Sequence, residues 1–180
     1  MSVILKSFRS TQVRMLGLTL AVALNGHSAA ASTTSPFQKF VGAWSGGGQI
    51  VATNGHREAI RCRAEFSVTK AGSALNQAIV CASESFKLNI TTYAEAAGET
   101  VQGYWSEATR DVSGHLTGRI AADGRFDGEI SAAAFTASIS LTSNGQNQAV
   151  SIRPRGGDIS DVRIELGRRH EAEVSGLLQV

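Results

Sequence analysis

The segment from Ile60 to Ser83 constrains the fold more tightly than any other part of the chain. Ile60, Cys62, Ala64, Phe66 and Val68 alternate with Arg61, Arg63, Glu65 and Ser67, and the next run places Leu75, Gln77, Ile79 and Cys81 on one face. Alternation with period two gives a strand one dry face and one wet face. With Ala71-Gly72 at the centre of the intervening turn, Cys62 falls opposite Cys81, Ala64 opposite Ile79 and Val68 opposite Leu75. Directly opposed residues of an antiparallel pair lie within disulfide range. The register that stacks the apolar residues therefore also joins the two sulfurs, and a stapled hairpin is expected. The bridge closes a loop of about 20 residues, worth on the order of 3 kcal/mol in the chain-entropy account.

The same alternation recurs along the chain. Phe86, Leu88 and Ile90 form one run, Val101, Gly103 and Trp105 the next, then Val112, Leu116 and Ile120 with Gly114 and Gly118 on the same face. Turn signals fall at Asn54-Gly55, Ala97-Gly98, Asp123-Gly124, Asn144-Gly145 and Gly156-Gly157. A three-residue loop over Ala122-Asp123-Gly124 sets Ile120 opposite Phe126, Gly118 opposite Gly128 and Leu116 opposite Ile130. A two-residue loop at Asn144-Gly145 sets Ile139 opposite Val150 and Leu141 opposite Gln148. Gly46-Gly47-Gly48 marks a bend, bulge or close backbone approach in the first strand. Before it, Pro36 to Phe40 has the makings of a single helical turn with Phe37 and Phe40 on one side. The pattern predicts an all-β chain, an antiparallel up-and-down meander of about ten strands closing into a barrel. Closure removes the unpaired edges that an open meander leaves.

Residues 1–31 stand apart from this pattern. Lys6, Arg9 and Arg14 precede an apolar run from Met15 to Leu24, and small residues follow up to Ala31. That is the layout of a cleaved signal peptide, with an apolar run too short to span a bilayer. The barrel is expected over residues 32–167 and a tail without partner over 168–180. The chain carries 17 basic and 15 acidic side chains, and without the leader's three the balance is 14 against 15, a net −1. The basic character thus belongs to the leader and gives no support for nucleic-acid binding. Two paired cysteines fit an oxidising compartment, so a periplasmic or secreted location is expected. Aromatic residues make up only 6% of the chain, too few for the two girdles of an outer-membrane barrel. No membrane span is expected in the mature chain, and a monomer is.

Nothing in the sequence assembles a catalytic constellation. G-x-S-x-G, H-E-x-x-H and C-x-x-C are all missing. His56, His115 and His170 fall in a turn, on a polar strand face and in the tail, without metal-ligand spacing. Asp123, Asp127 and Glu129 read as solvated carboxylates near one turn, and Arg57, Arg61 and Arg63 as an outer polar face or an anion patch. No catalytic residue, metal or cofactor is expected. Two stretches share G-x-W-S: Gly42-Ala43-Trp44-Ser45 and Gly103-Tyr104-Trp105-Ser106. Their tryptophans either anchor two parts of a core or line a cavity, since small closed barrels often hold one apolar ligand. Trp44, Phe66 and Trp105 are the candidate pocket residues.

A short turn followed by Gly42-x-Trp44 at the opening of an antiparallel meander resembles the start of the lipocalin-like (calycin) barrels. The strand count is similar to their fatty-acid-binding and nitrobindin-like branches. That resemblance implies a non-enzymatic binder of a small apolar or amphipathic ligand. Trp44 followed by Cys62 and Cys81 is also similar to small periplasmic metalloprotease inhibitors of the Inh type, which are lipocalin-like barrels with one disulfide. This second resemblance implies an envelope protein as partner, with residues 32–37 as the arm that enters the protease.

Overall fold

The computed structural model describes residues 34–169; the expected leader and the tail from His170 onward lie outside the described residues. Ten strands follow one another: β1 Gly42–Ala52, β2 Arg57–Thr69, β3 Ala74–Ala82, β4 Lys87–Ala97, β5 Thr100–Glu107, β6 Val112–Ala121, β7 Arg125–Ala132, β8 Thr136–Ser143, β9 Asn147–Arg155 and β10 Ile159–Arg168. Each pairs antiparallel with its sequence neighbours, and β1 closes on β10 to complete the barrel. The stapled hairpin has the expected register: Cys62 opposite Cys81, Ala64 opposite Ile79, Val68 opposite Leu75, with the Cys62–Cys81 disulfide formed. The β6–β7 hairpin likewise pairs Ile120 with Phe126, Gly118 with Gly128 and Leu116 with Ile130.

The β8–β9 hairpin differs from expectation. Ile139 meets Ile152, Leu141 meets Val150 and Ser143 meets Gln148. The Asn144 carboxamide explains the slip, because its Oδ1 accepts the backbone N–H groups of Gln146 at 2.9 Å and Asn147 at 2.7 Å. Asn144 thus starts the turn, and Gly145, at φ +88°, becomes the first of the two central residues. A shift of partners by an even number keeps the apolar faces together, so the hairpin still buries the right side chains.

The glycine run meets the seam. A Cβ on Gly46 or Gly48 would lie 2.0 Å from the carbonyl oxygen of Glu165 or Arg163 on β10. Strands β1 and β10 therefore approach more closely than any side chain at these positions permits.

The expected helical turn over Pro36 to Phe40 is instead a pair of successive reverse turns, with Gln38 N–H donating to Ser35 O and Phe40 N–H to Phe37 O. This segment caps one end of the barrel. Lys39 Nζ donates to Asp123 O at 2.8 Å, and Ser143 Oγ donates to Lys39 O at 2.6 Å. Arg168, expected to open the tail, is the last residue of β10 and pairs with Trp44. The wall is apolar within and carries Arg61, Arg63, Glu65, Arg119 and Arg163 exposed outside, the reverse of a lipid-facing barrel.

Candidate functional site

The strands leave a cavity of about 460 Å³ inside the barrel. Its floor is made by Phe37 and Phe40 of the capping segment. Its mouth lies at the opposite end, where Phe86, Arg110, Phe135 and Asp158 come from the turns β3–β4, β5–β6, β7–β8 and β9–β10. Between them the lining is almost wholly aliphatic and aromatic. Leu88, Ile90, Ile130, Ile139, Leu141 and Ile152 point inward yet are only half-buried, because they face this space. The volume falls within the range of small-molecule sites and far exceeds ordinary packing defects. A wider depression of about 640 Å³ lies outside the capped end among Asp123, Arg125, Asn144 and Glu165. Those four are solvent-exposed turn and edge residues, which form no enclosed site.

The candidate aromatic residues separate into two groups. Phe66 and Trp105 line the cavity, and Trp44 is not among its lining residues. Trp44 is completely buried beneath the floor. Its Nε1–H donates to Phe40 O at 2.8 Å, and the Arg168 guanidinium covers its ring at 4.5 Å from the centroid. Gly42, at φ +127°, lies against that guanidinium, so the G-x-W stretch makes room for the Arg168–Trp44 stack. The Gln148 amide also donates to Phe40 O, at 3.3 Å. Trp105 instead packs against Phe135 with ring centroids 6.0 Å apart, and it lies opposite Gly114 on β6. The Cys62–Cys81 bridge is buried on the inner face, with Cys81 in the cavity wall.

The structure adds Glu107, which sequence reasoning missed. The residue is 5% exposed and lines the cavity near the mouth. Burial pushes the carboxyl up, but backbone N–H groups of Asn89, Thr109 and Arg110 and the Thr109 hydroxyl outweigh it and hold the carboxyl down at about 2. The Arg110 guanidinium lies 3.7 Å away, near the Phe86 ring at 6.0 Å. Glu107 thus organises the β5–β6 turn as a buried anion with its acceptors occupied. Its signal in the sequence is position alone: it shares the inner face with Val101 and Trp105.

The other singled-out residues lie away from the cavity. Arg57, Arg61 and Arg63 are exposed on the outer face of β2, with Arg57 donating to Gln49 Oε1 at 2.9 Å. His56 and His115 are exposed. Asp127 pairs with Arg125 at 2.9 Å and Glu129 with Arg155 at 2.7 Å, both as solvent-exposed ion pairs on the outer wall.

No protein-family model and no curated protein sequence matches the chain. Solved structures do. The crystal structure of Rv2717c from M. tuberculosis superposes with a TM-score of 0.61 at 12% identity, covering 75% of this chain and 98% of that one. The S-type phycobiliprotein lyase CPES from Guillardia theta superposes with a TM-score of 0.56 at 10% identity, covering 78% of this chain and 96% of that one. At such identities the likeness is one of fold. What it shows is the architecture alone, a closed barrel of ten antiparallel strands.

Proposed function

We propose that the protein is an exported, non-enzymatic barrel that holds a small apolar or amphipathic ligand in its interior. The cavity carries this reading: a space of about 460 Å³ walled by apolar side chains and open beside Arg110 and Asp158. Phe66 and Trp105 are the aromatic residues assigned to ligand contact, while Trp44 supports the floor from behind. The disulfide fits export to an oxidising compartment such as the periplasm. The lyase name of one fold neighbour describes that protein, and a likeness of fold alone does not bring its reaction here. The rival reading, an envelope protease inhibitor acting through residues 32–37, needs that arm free. Its described part is engaged, since Phe37 is buried and Ser35 Oγ donates to Gly72 O.

Native mass spectrometry of the mature protein, taken from periplasm without detergent, tests the proposal. The expected result is a co-purifying small molecule on an oxidised chain. A bare chain that also takes up nothing from a total lipid extract would overturn it.

A further inference from the structure

Across the inner wall, cross-strand pairing links Phe66 to Gln77, Gln77 to Thr92, Thr92 to Trp105 and Trp105 to Gly114. The row therefore sets two neutral polar side chains side by side between two aromatic ones. Gln77 and Thr92 both line the cavity and both are half-buried. Among the described residues neither side chain makes a hydrogen bond to the protein. Polar groups inside an apolar wall are costly unless something satisfies them, and Leu or Val would fill the same positions without that cost. The barrel needs neither group for its own hydrogen bonding.

We infer that Gln77 and Thr92 form a neutral hydrogen-bonding subsite for one hydroxyl, ketone or amide group of an otherwise apolar ligand held between Phe66 and Trp105. This rests on the proposed interior binding and names its ligand class. Directly opposed residues on neighbouring strands hold their Cβ atoms about 5 Å apart, so a single ligand oxygen can reach both. The carboxamide and the hydroxyl each donate and accept, which suits a neutral partner. A carboxylate finds no free cation. The ionisable residues of the lining are Glu107, Arg110 and Asp158, all toward the mouth, and Arg110 already stands 3.7 Å from Glu107. Two anions against one cation disfavour a second anion inside, and a bare charge in an apolar interior is strongly penalised.

Three probes of similar shape separate the possibilities: 2-acetylnaphthalene, 2-ethylnaphthalene and 2-naphthoate, titrated into wild type and into a Gln77→Leu/Thr92→Val variant. Binding is followed by tryptophan fluorescence and calorimetry. The ketone is expected to lose about tenfold in affinity in the variant, while the hydrocarbon holds or tightens and the carboxylate is the weakest binder to wild type. Hydrocarbon binding in the variant also reports an intact barrel. Equal changes for ketone and hydrocarbon, no change for the ketone, or tightest binding of the naphthoate would each overturn the subsite while leaving interior binding in place. Failure of both the ketone and the hydrocarbon to bind wild type would overturn interior binding and the subsite with it. Should the double variant not fold, Gln77→Met and Thr92→Val singly give the same comparison, each with a loss of about threefold for the ketone.

Discussion

Trp44 and Trp105 each hold the third position of a G-x-W-S stretch, and each points into the barrel from its strand. Their surroundings differ at every contact. Trp44 has Arg168 over its ring and a backbone acceptor for its Nε1–H, under a capping segment tied to two turns and to the end of β8. Trp105 has a glycine opposite, one aromatic neighbour and the cavity beside it. The same four-residue pattern therefore closes one end of the barrel and furnishes the wall of the other. What decides between the two is the partner strand: β1 meets Arg168 at the end of β10, whereas β5 meets Gly114 on β6.

The largest test of this contrast is a pair of truncations. Trp44→Ala removes a fully packed indole and the shorter of the two hydrogen bonds to Phe40 O, so a loss of about 3–5 kcal/mol is expected. Trp105→Ala should cost about half as much, because a side chain beside a void has contacts on fewer sides. Urea midpoints of the two variants measure the ratio. Equal losses would mean that Trp105 is as much a structural anchor as Trp44. The disulfide comes next. Cys62→Ala/Cys81→Ala should lower stability by about 3 kcal/mol, with the capped end unaffected in its amide exchange and the β2–β3 hairpin protected less.

Much of this architecture could be read in the sequence because period-two alternation and turn residues act locally. The β2–β3 and β6–β7 registers followed from apolar matching across a turn, and both are found. The β8–β9 register did not, since Asn-Gly was read as the two central residues while the Asn144 side chain caps the turn from its first position. For the site, the inward direction of Trp44, Phe66 and Trp105 was legible, but which of them meets the cavity was not. That depends on the capping segment, and its contacts with Gly72, Asp123 and Ser143 span long stretches of sequence. Gln77 was legible as inward, by parity with Leu75 and Ile79; its lack of a protein partner depends on the whole wall. Glu107 looked like an ordinary polar residue ending a strand, because backbone donors leave no trace in a sequence.

Glu107 supplies the smallest of these effects and the most specific one at the mouth. Its carboxyl stands at about 2 in the folded chain against 4.5 as a free side chain. A depressed carboxyl stabilises the fold fully above its unfolded value, and that contribution is lost as pH falls through the folded value. The window is therefore from 4.5 down to about 2. Glu107→Gln keeps the shape and one acceptor but removes the charge that three backbone N–H groups address. A loss on the order of 2 kcal/mol is expected at neutral pH. The gap between variant and wild type should narrow on acidification through that window, and at about pH 2 the two should unfold at nearly the same urea concentration. A constant gap across the whole range would mean that Glu107 matters through packing alone, and that the mouth, like the floor, is held by contact rather than by charge.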